Sequence, residues 1–122
     1  MIIEEKIRNY FNAKAEQGII PKTYVSIPEV KKPSTSYEFI VLEKTGSSVD
    51  NHIITSTIAF QSYADTLYKA AVVNEKVKEV MQMCVDDDVV IQARLNSDYN
   101  FTDQSTKQPR YQAVFDVIHY VK

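Results

Sequence analysis

The sequence predicts an α+β fold in which two helices pack on one face of a mostly antiparallel or mixed sheet of four to five strands. Two long segments carry apolar residues every three or four positions, which is the spacing of an amphipathic helix. The segments between and after them are rich in β-branched and aromatic residues, as strands are. Because the helices are separated by several strands, the predicted order is α-β-β-β-α-β-β and the predicted class is α+β.

The first helix is predicted from residue 2 to about residue 17. Gly18 is a suitable end for it, because glycine adopts the left-handed conformation that closes many helices, and Pro21 cannot continue the helix. Charged residues fill the positions outside the apolar stripe of this segment. The stripe consists of Ile3, Ile7, Tyr10 and Phe11.

Three strands are predicted to follow. Residues 22–27 form a short β-type run, and residues 28–36 read as an exposed connection with prolines and lysines. The next strand starts at Tyr37, and residues 45–51 have the composition of a turn. Residues 53–61 then complete an antiparallel hairpin, for which we expect a loop longer than two residues.

The second helix is predicted to start at Ser62, with Asp65 three residues later in an arrangement close to a capping box. The acidic run at residues 86–88 is expected in the turn beyond the helix, because the helix dipole disfavours acids at its C-terminus. The apolar stripe of this helix comprises Tyr63, Leu67, Ala70, Val73, Val77, Val80 and Cys84.

The last part of the chain predicts two strands separated by a long polar loop. Residues 89–95 form the first strand, residues 96–108 the loop, and residues 110–121 a final strand long enough to be central in the sheet. The shared periodic faces predict one core: Ile58, Phe60, Leu67, Ala70, Val73, Val77, Val80, Val89, Ile91, Phe115 and Val117.

Composition limits the function. A chain of 122 residues suits a single domain, residues 1–122, and a net charge of −2 argues against general binding to duplex DNA. Cys84 is the only cysteine, so we expect no internal disulfide and a reducing compartment. Two glycines are too few for a phosphate-binding loop. We expect neither a signal peptide nor a membrane span, and no cofactor.

The acidic residues do not have the spacing of a metal site. Residues 86–88, with Asp98 and Asp103 downstream, lack the glycine and the closing glutamate of an EF-hand, which favours a solvated turn. Asp88 with Gln92 and Arg94 would make a metal-dependent nuclease strand only if the second and third residues were of other types. No metal ligand is therefore assigned.

A cysteine nucleophile is a second chemical hypothesis. Cys84 could in principle pair with His52 or His119, since a thiol needs a base to ionise near neutral pH. Cys84 lies on the apolar stripe of the second helix, however, where cysteine behaves as a small buried hydrophobe. The sequence thus assigns no catalytic residue, and we expect a protein that is not an enzyme.

Two polar segments, residues 47–51 and residues 96–108, are the candidate contact sites for other subunits or proteins. We expect both to be mobile in the isolated chain and to become ordered on contact. Tyr99 and Phe101 are aromatic exceptions in the second segment, and such rings often anchor interfaces. The candidate contact residues are Ser47, Ser48, Asp50 and Asn51 in the first segment and Asp98, Tyr99, Phe101 and Asp103 in the second.

Three stretches carry a resemblance to a known family. They are Phe39-Ile40-Val41-Leu42-Glu43-Lys44-Thr45-Gly46, Ile58-Ala59-Phe60-Gln61-Ser62-Tyr63 and Arg110-Tyr111-Gln112-Ala113-Val114-Phe115. Together with the first helix and the second, valine-rich helix, they resemble the tail-completion, or tail terminator, proteins of long-tailed bacteriophages and prophages. The resemblance covers most of the chain as a fold pattern.

This resemblance implies a structural virion protein that is not an enzyme. Its implied partners are further copies of itself in a hexameric ring, a tail tube protein and a head or neck connector protein, with DNA passing through the lumen without sequence-specific binding. The implied location is the tail–head junction of the virion, after synthesis in the cytoplasm of the bacterial host. Three alternatives stay open: another neck protein such as a head-completion or connector component, a small metal-dependent enzyme, and a cytosolic regulator that binds a peptide or partner domain.

Overall fold

The computed structural model describes residues 2–25, 38–50, 52–102, 104–105 and 107–120. The elements follow in the predicted order α-β-β-β-α-β-β, which confirms the α+β class. They are α1 (Ile3–Glu16), β1 (Thr23–Tyr24), β2 (Glu38–Asp50), β3 (Ile53–Ala64), α2 (Leu67–Asp86), β4 (Gln92–Asn100) and β5 (Arg110–Tyr120).

The strands form one mixed sheet of five strands in the order β1-β2-β3-β5-β4. Among the residues that the structure describes, β1 runs parallel to its neighbour β2, and the other three pairings are antiparallel. The final strand β5 lies between β3 and β4, so its predicted central position is confirmed.

Both helices pack on one face of the sheet, as predicted. Alternate residues of β2 show the division: Ile40 and Leu42 join the helices in the main core, whereas Phe39 and Val41 point to the opposite face with Tyr63. None of the helices in the described part of the chain is both long and apolar enough to cross a bilayer.

An aromatic contact joins the first helix to the sheet. Phe11 of α1 stacks on Phe60 of β3 with ring centroids 5.1 Å apart, and Phe60 meets Phe115 of β5 edge-on at 5.8 Å. The helix ends where the sequence predicts, because Gly18 adopts a φ of +78° and its N–H donates to the carbonyl of Ala15. The core is thus assembled from both ends of the chain.

Most of the predicted core is buried, but two of its members are exposed and one is only partly buried. Leu67 is 42% exposed because it is the first residue of α2, ahead of the helix residues that pack on the sheet. Ile91 is 40% exposed because it stands in the turn just before β4. Val89 is partly buried and packs against the core, and the remaining predicted members are buried.

The predicted turn at residues 45–51 is wrong. β2 continues to Asp50, which pairs with Ile53, so the hairpin loop has two residues rather than a longer connection. His52 in that loop has a φ of 66°, the left-handed backbone that tight hairpins use. The polar composition misled the prediction because this half of β2 has no core to cover and pairs through its backbone.

The predicted start of the second helix is also wrong. Ser62 and Tyr63 are buried residues of β3 rather than the cap and first turn of a helix. Thr66 is the actual N-cap, since its side chain accepts a hydrogen bond from the backbone N–H of Lys69 at 3.1 Å. Asp65 instead forms an ion pair with Lys69 at 3.3 Å.

The fourth strand is displaced from its predicted position. It spans Gln92–Asn100 rather than residues 89–95, so the first part of the predicted polar loop at residues 96–108 is strand. Its side chains are mostly exposed because β4 is an edge strand that needs only one partly buried face. A β-bulge between Leu95 and Ser97 further breaks the apolar alternation that would have marked it.

Candidate assembly surfaces

The first group of predicted contact residues lies on the outer half of the β2–β3 hairpin. Ser47, Ser48 and Asp50 are exposed strand residues, and every side chain of β2 from Glu43 onwards is exposed. Asn51 lies outside the described residues. The hairpin therefore presents the predicted residues to solvent, but as an ordered strand.

Apolar side chains that the sequence analysis missed surround the tip of this hairpin. Val49 is 66% exposed and Tyr120 is also 66% exposed, while Ile53 is 40% exposed. Asp50 pairs with Ile53, and Ile53 pairs with Tyr120, so these three lie side by side across β2, β3 and β5. We call Val49, Asp50, Ile53 and Tyr120 the hairpin end. Asp50, Ile53 and Tyr120 lie on the face away from the helices and Val49 lies on the helix side, so apolar side chains are exposed on both faces of this end of the sheet.

Asp98 in the second predicted group makes contacts within the chain. Its carboxylate forms an ion pair with Lys78 of α2 and accepts a hydrogen bond from the side-chain amide of Asn74 at 3.1 Å. The hydrogen bond to Asp98 raises the pKa of Lys78. Asp98 therefore holds β4 to α2. Asp103 lies outside the described residues.

Tyr99 and Phe101 lie on the other face of the sheet, around Arg110. The two rings meet edge-on with centroids 5.7 Å apart, and the guanidinium of Arg110 lies 4.5 Å from the centroid of the Phe101 ring. Arg110 also donates a 2.8 Å hydrogen bond from Nε to the carbonyl of Phe101. Tyr99 and Phe101, for which the sequence suggested no packing partner, therefore pack against each other and Phe101 packs against Arg110.

Arg110 starts a chain of hydrogen bonds that runs from β5 to β3, returns to β5 and ends on β4. Its guanidinium donates to the Tyr63 hydroxyl at 2.9 Å, which donates to the Gln61 amide oxygen at 3.1 Å. Gln61 donates to Gln112 at 3.1 Å, and Gln112 donates to the Tyr99 hydroxyl at 2.6 Å. The first bond is charge-assisted because the guanidinium donates it. Each residue that accepts one bond donates the next, and such a chain of hydrogen bonds makes this polar face rigid.

Aromatic stacking continues the same face to the opposite edge of the sheet. Tyr63 stacks on Phe39 at 4.6 Å, and Phe39 meets Tyr24 edge-on at 6.3 Å. The face is therefore fixed from β4 to β1. The alternation of residues in β5 could have identified this face from the sequence. Arg110 and Gln112 point away from the face on which Ala113 and Phe115 are buried.

The residues considered as a nucleophile and its base lie in different elements of the fold: Cys84 in α2, His119 in β5 and His52 in the hairpin loop. Cys84 is fully buried, and burial raises the pKa of its thiol to about 12, so it is not poised as a nucleophile. His119 is buried in β5 with Nε2 2.8 Å from the Ser56 hydroxyl, and burial lowers its pKa. His52 is exposed in the hairpin loop.

Two residues of the acidic run at the end of α2 accept hydrogen bonds, one from α1 and one from within α2. Asp87 accepts a hydrogen bond from the Tyr10 hydroxyl at 2.5 Å, and burial together with this bond raises the pKa of Tyr10. Asp86 accepts a hydrogen bond from Gln82 at 3.1 Å. Among the described residues, no group of three or more histidine, cysteine or acidic side chains is placed to hold a metal ion.

The chain matches no family model and no curated protein.

Proposed function

We propose that this chain is a structural protein of a long-tailed phage or prophage, which caps the tail tube and joins the tail to the head as a ring of identical subunits. The observation that carries the proposal is the exposed outer half of the β2–β3 hairpin, from Glu43 to the hairpin end. This exposed surface is suited to contacts between proteins, and the sequence resembles tail terminator proteins, so both observations support assembly.

The outer half of β2 is held firmly in the sheet. At about 3.3 Å per residue, its exposed residues 43–50 extend roughly 25 Å. β3 pairs with β2 on one side and with β5 on the other along this whole length, up to the Ile53–Tyr120 pair. Three paired strands resist bending more than a two-stranded ribbon, which is marginal on its own. This edge of the sheet is therefore an ordered surface that a neighbouring protein can contact.

The mechanism is steric and requires no reaction. The ring would cover the terminal tail tube proteins, stop further polymerisation, and present its other side to a head or neck connector protein. DNA would pass through the lumen without sequence-specific contacts, for which a chain with a net charge of −2 offers little general attraction. Assembly would take place in the virion at the tail–head junction, from subunits made in the cytoplasm of the bacterial host.

A complementation experiment tests this function. The gene is removed from a phage that encodes the chain, and virions are examined by electron microscopy with and without the chain supplied from a plasmid. We expect full heads and separate tails of uncontrolled length in its absence. The double variant Ile53→Asp/Tyr120→Asp at the hairpin end should fail to restore joining. Tyr68→Asp is the matched control, since Tyr68 is an exposed apolar residue on α2.

Two outcomes contradict the proposal. Joined virions with tails of normal length in the absence of the chain would remove its role in capping. Tails of normal length beside heads that lose their DNA would instead identify a head-completion or connector component, the alternative neck protein.

A further inference from the structure

Within the described residues, the sheet ends in two strand edges that are largely unpaired. The outer edge of β2 pairs with β1 only at Ile40 and Val41, so from Leu42 to Asp50 it has no partner strand among the described residues. At the other end of the sheet, the outer edge of β4 is likewise unpaired in the part of the chain that the structure describes. Unpaired edges present backbone N–H and C=O groups that readily bind another strand.

The directions of these two edges make them complementary. Three successive antiparallel pairings separate β2 from β4, so the two edge strands run in opposite directions. A second copy of the chain placed beside the first in the same orientation would therefore bring its β2 antiparallel to β4, with the helices of both copies on one side. Each added copy leaves the same two edges free, which is the geometry of a closed ring or a filament.

Side-chain positions select one register for this contact. Val49 and Leu95 both lie on the helix side of the sheet, whereas Asp50 and Arg94 lie on the other side. Antiparallel pairing that puts Asp50 opposite Arg94 also puts Val49 opposite Leu95. It joins opposite charges and brings together two apolar side chains that are 66% and 40% exposed.

The alternative registers lose these pairs. Moving β4 by two residues so that Asp50 meets Gln92 leaves Arg94 opposite a serine, and Val49 opposite Ala93. Placing Arg94 opposite Glu43 would drive the rest of β4 over the position that β1 already holds beside Val41. Neither Asp50 nor Arg94 has an ion-pair partner within 4.0 Å among the described residues. Arg94 stands opposite Asp116 of β5, whose carboxylate accepts hydrogen bonds from Thr57 and Asn96.

We propose that β4 of one copy pairs antiparallel with the outer edge of β2 of the next copy, with Asp50 opposite Arg94 and Val49 opposite Leu95. This head-to-tail contact deepens the proposed function and rests on its ring assembly, for which it supplies the interface between subunits. The partner is a second copy of this chain, because the two edges complement each other in direction, register, charge and apolar contact.

Charge exchange tests the contact. The mass of the assembly is measured by light scattering after gel filtration for the wild type, Asp50→Arg, Arg94→Asp and the double variant. Each single variant should weaken association at least about tenfold, since it sets like charges opposite each other. The double variant, and an equimolar mixture of the two single variants, should assemble again. Glu79→Arg, an exposed charge change on α2, is the control and should assemble like the wild type.

A disulfide test addresses the register without changing charge. In a Cys84→Ser background, Val49→Cys/Leu95→Cys should give a ladder of covalent oligomers on oxidation, because facing strand residues have Cα atoms about 5.5 Å apart, within disulfide range. Val49→Cys/Glu79→Cys should stay monomeric on denaturing gels. Assemblies that tolerate both single charge changes and give no ladder would overturn the edge contact and leave tail capping intact. A wild-type chain that stays monomeric at every concentration would overturn both.

Discussion

Replacement of Phe60 by alanine should be among the most destabilising single changes in the chain. Phe60 is fully buried and contacts Phe11 of α1 at 5.1 Å and Phe115 of β5 at 5.8 Å, so it links the first helix to the sheet. Truncation of a buried phenylalanine costs about 3–5 kcal/mol, and the two ring contacts place Phe60 near the upper end. For 122 residues, the unfolding entropy is roughly 0.26 kcal/mol per degree, which gives a fall in Tm of about 12–19 °C.

Thermal and urea denaturation followed by circular dichroism measure this change, with Phe101→Ala as the matched control. Phe101 is 38% exposed, so its truncation should cost no more than about 1.5 kcal/mol, or roughly 6 °C. In a double-mutant cycle, Phe60→Ala and Phe11→Ala should be coupled by about 0.5–1.5 kcal/mol. A fall in Tm below about 4 °C for Phe60→Ala, or equal losses for both variants, would refute the packing of α1 on the sheet.

Three further results are expected. The Cys84 thiol should react with a disulfide reagent only after denaturation, because burial raises its pKa to about 12; rapid reaction of the native chain at pH 8 would contradict this. Burial lowers the pKa of His119, so the unfolded chain binds the extra proton and stability should fall as pH drops through about 6.5; His119→Gln should flatten this fall in Tm between pH 7.5 and 5.5, and an unchanged slope would count against it. Asp98→Ala should cost about 1 kcal/mol through the lost contact with Lys78, whereas Glu79→Ala should leave the Tm nearly unchanged; equal effects would be inconsistent with the structure.

The sequence predicted the elements that bury a regular apolar stripe. Ile3, Ile7 and Phe11 mark α1, and Val73 and Val77 mark α2, because burial against the sheet demands apolar side chains at helical spacing. The class and order of elements followed from these stripes and from the alternation in the final strand. Burial of Cys84 could be predicted for the same reason.

The sequence did not reveal strands whose stability comes from backbone pairing. The outer half of β2 and the whole of β4 have polar, exposed side chains, so their composition resembles that of loops. Bulges next to Gly46 and Ser97 shift the alternation by one residue and hide it further. The sequence analysis placed Tyr63 in α2 although it belongs to β3. The error arose because β3 ends just before α2, and Tyr63 fits the apolar spacing of the helix.

The contact residues were only partly predictable for a related reason. Exposure of Ser47 and Asp50 follows from polarity, but the alignment of Asp50, Ile53 and Tyr120 depends on pairing between residues far apart in sequence. The same applies to Arg110, whose bond to Tyr63 joins positions 47 residues apart. Pairing register is set by the whole sheet, and local patterns carry little of that information.

The proposed function requires the chain to assemble into a closed ring of identical subunits. Native mass spectrometry of the purified chain, combined with negative-stain electron microscopy of the same sample, measures this most directly. We expect one dominant mass at an integral multiple of the 14.0 kDa subunit and ring-shaped particles with a central opening. A chain that remains a monomer or a closed dimer over the whole range of concentration would contradict it.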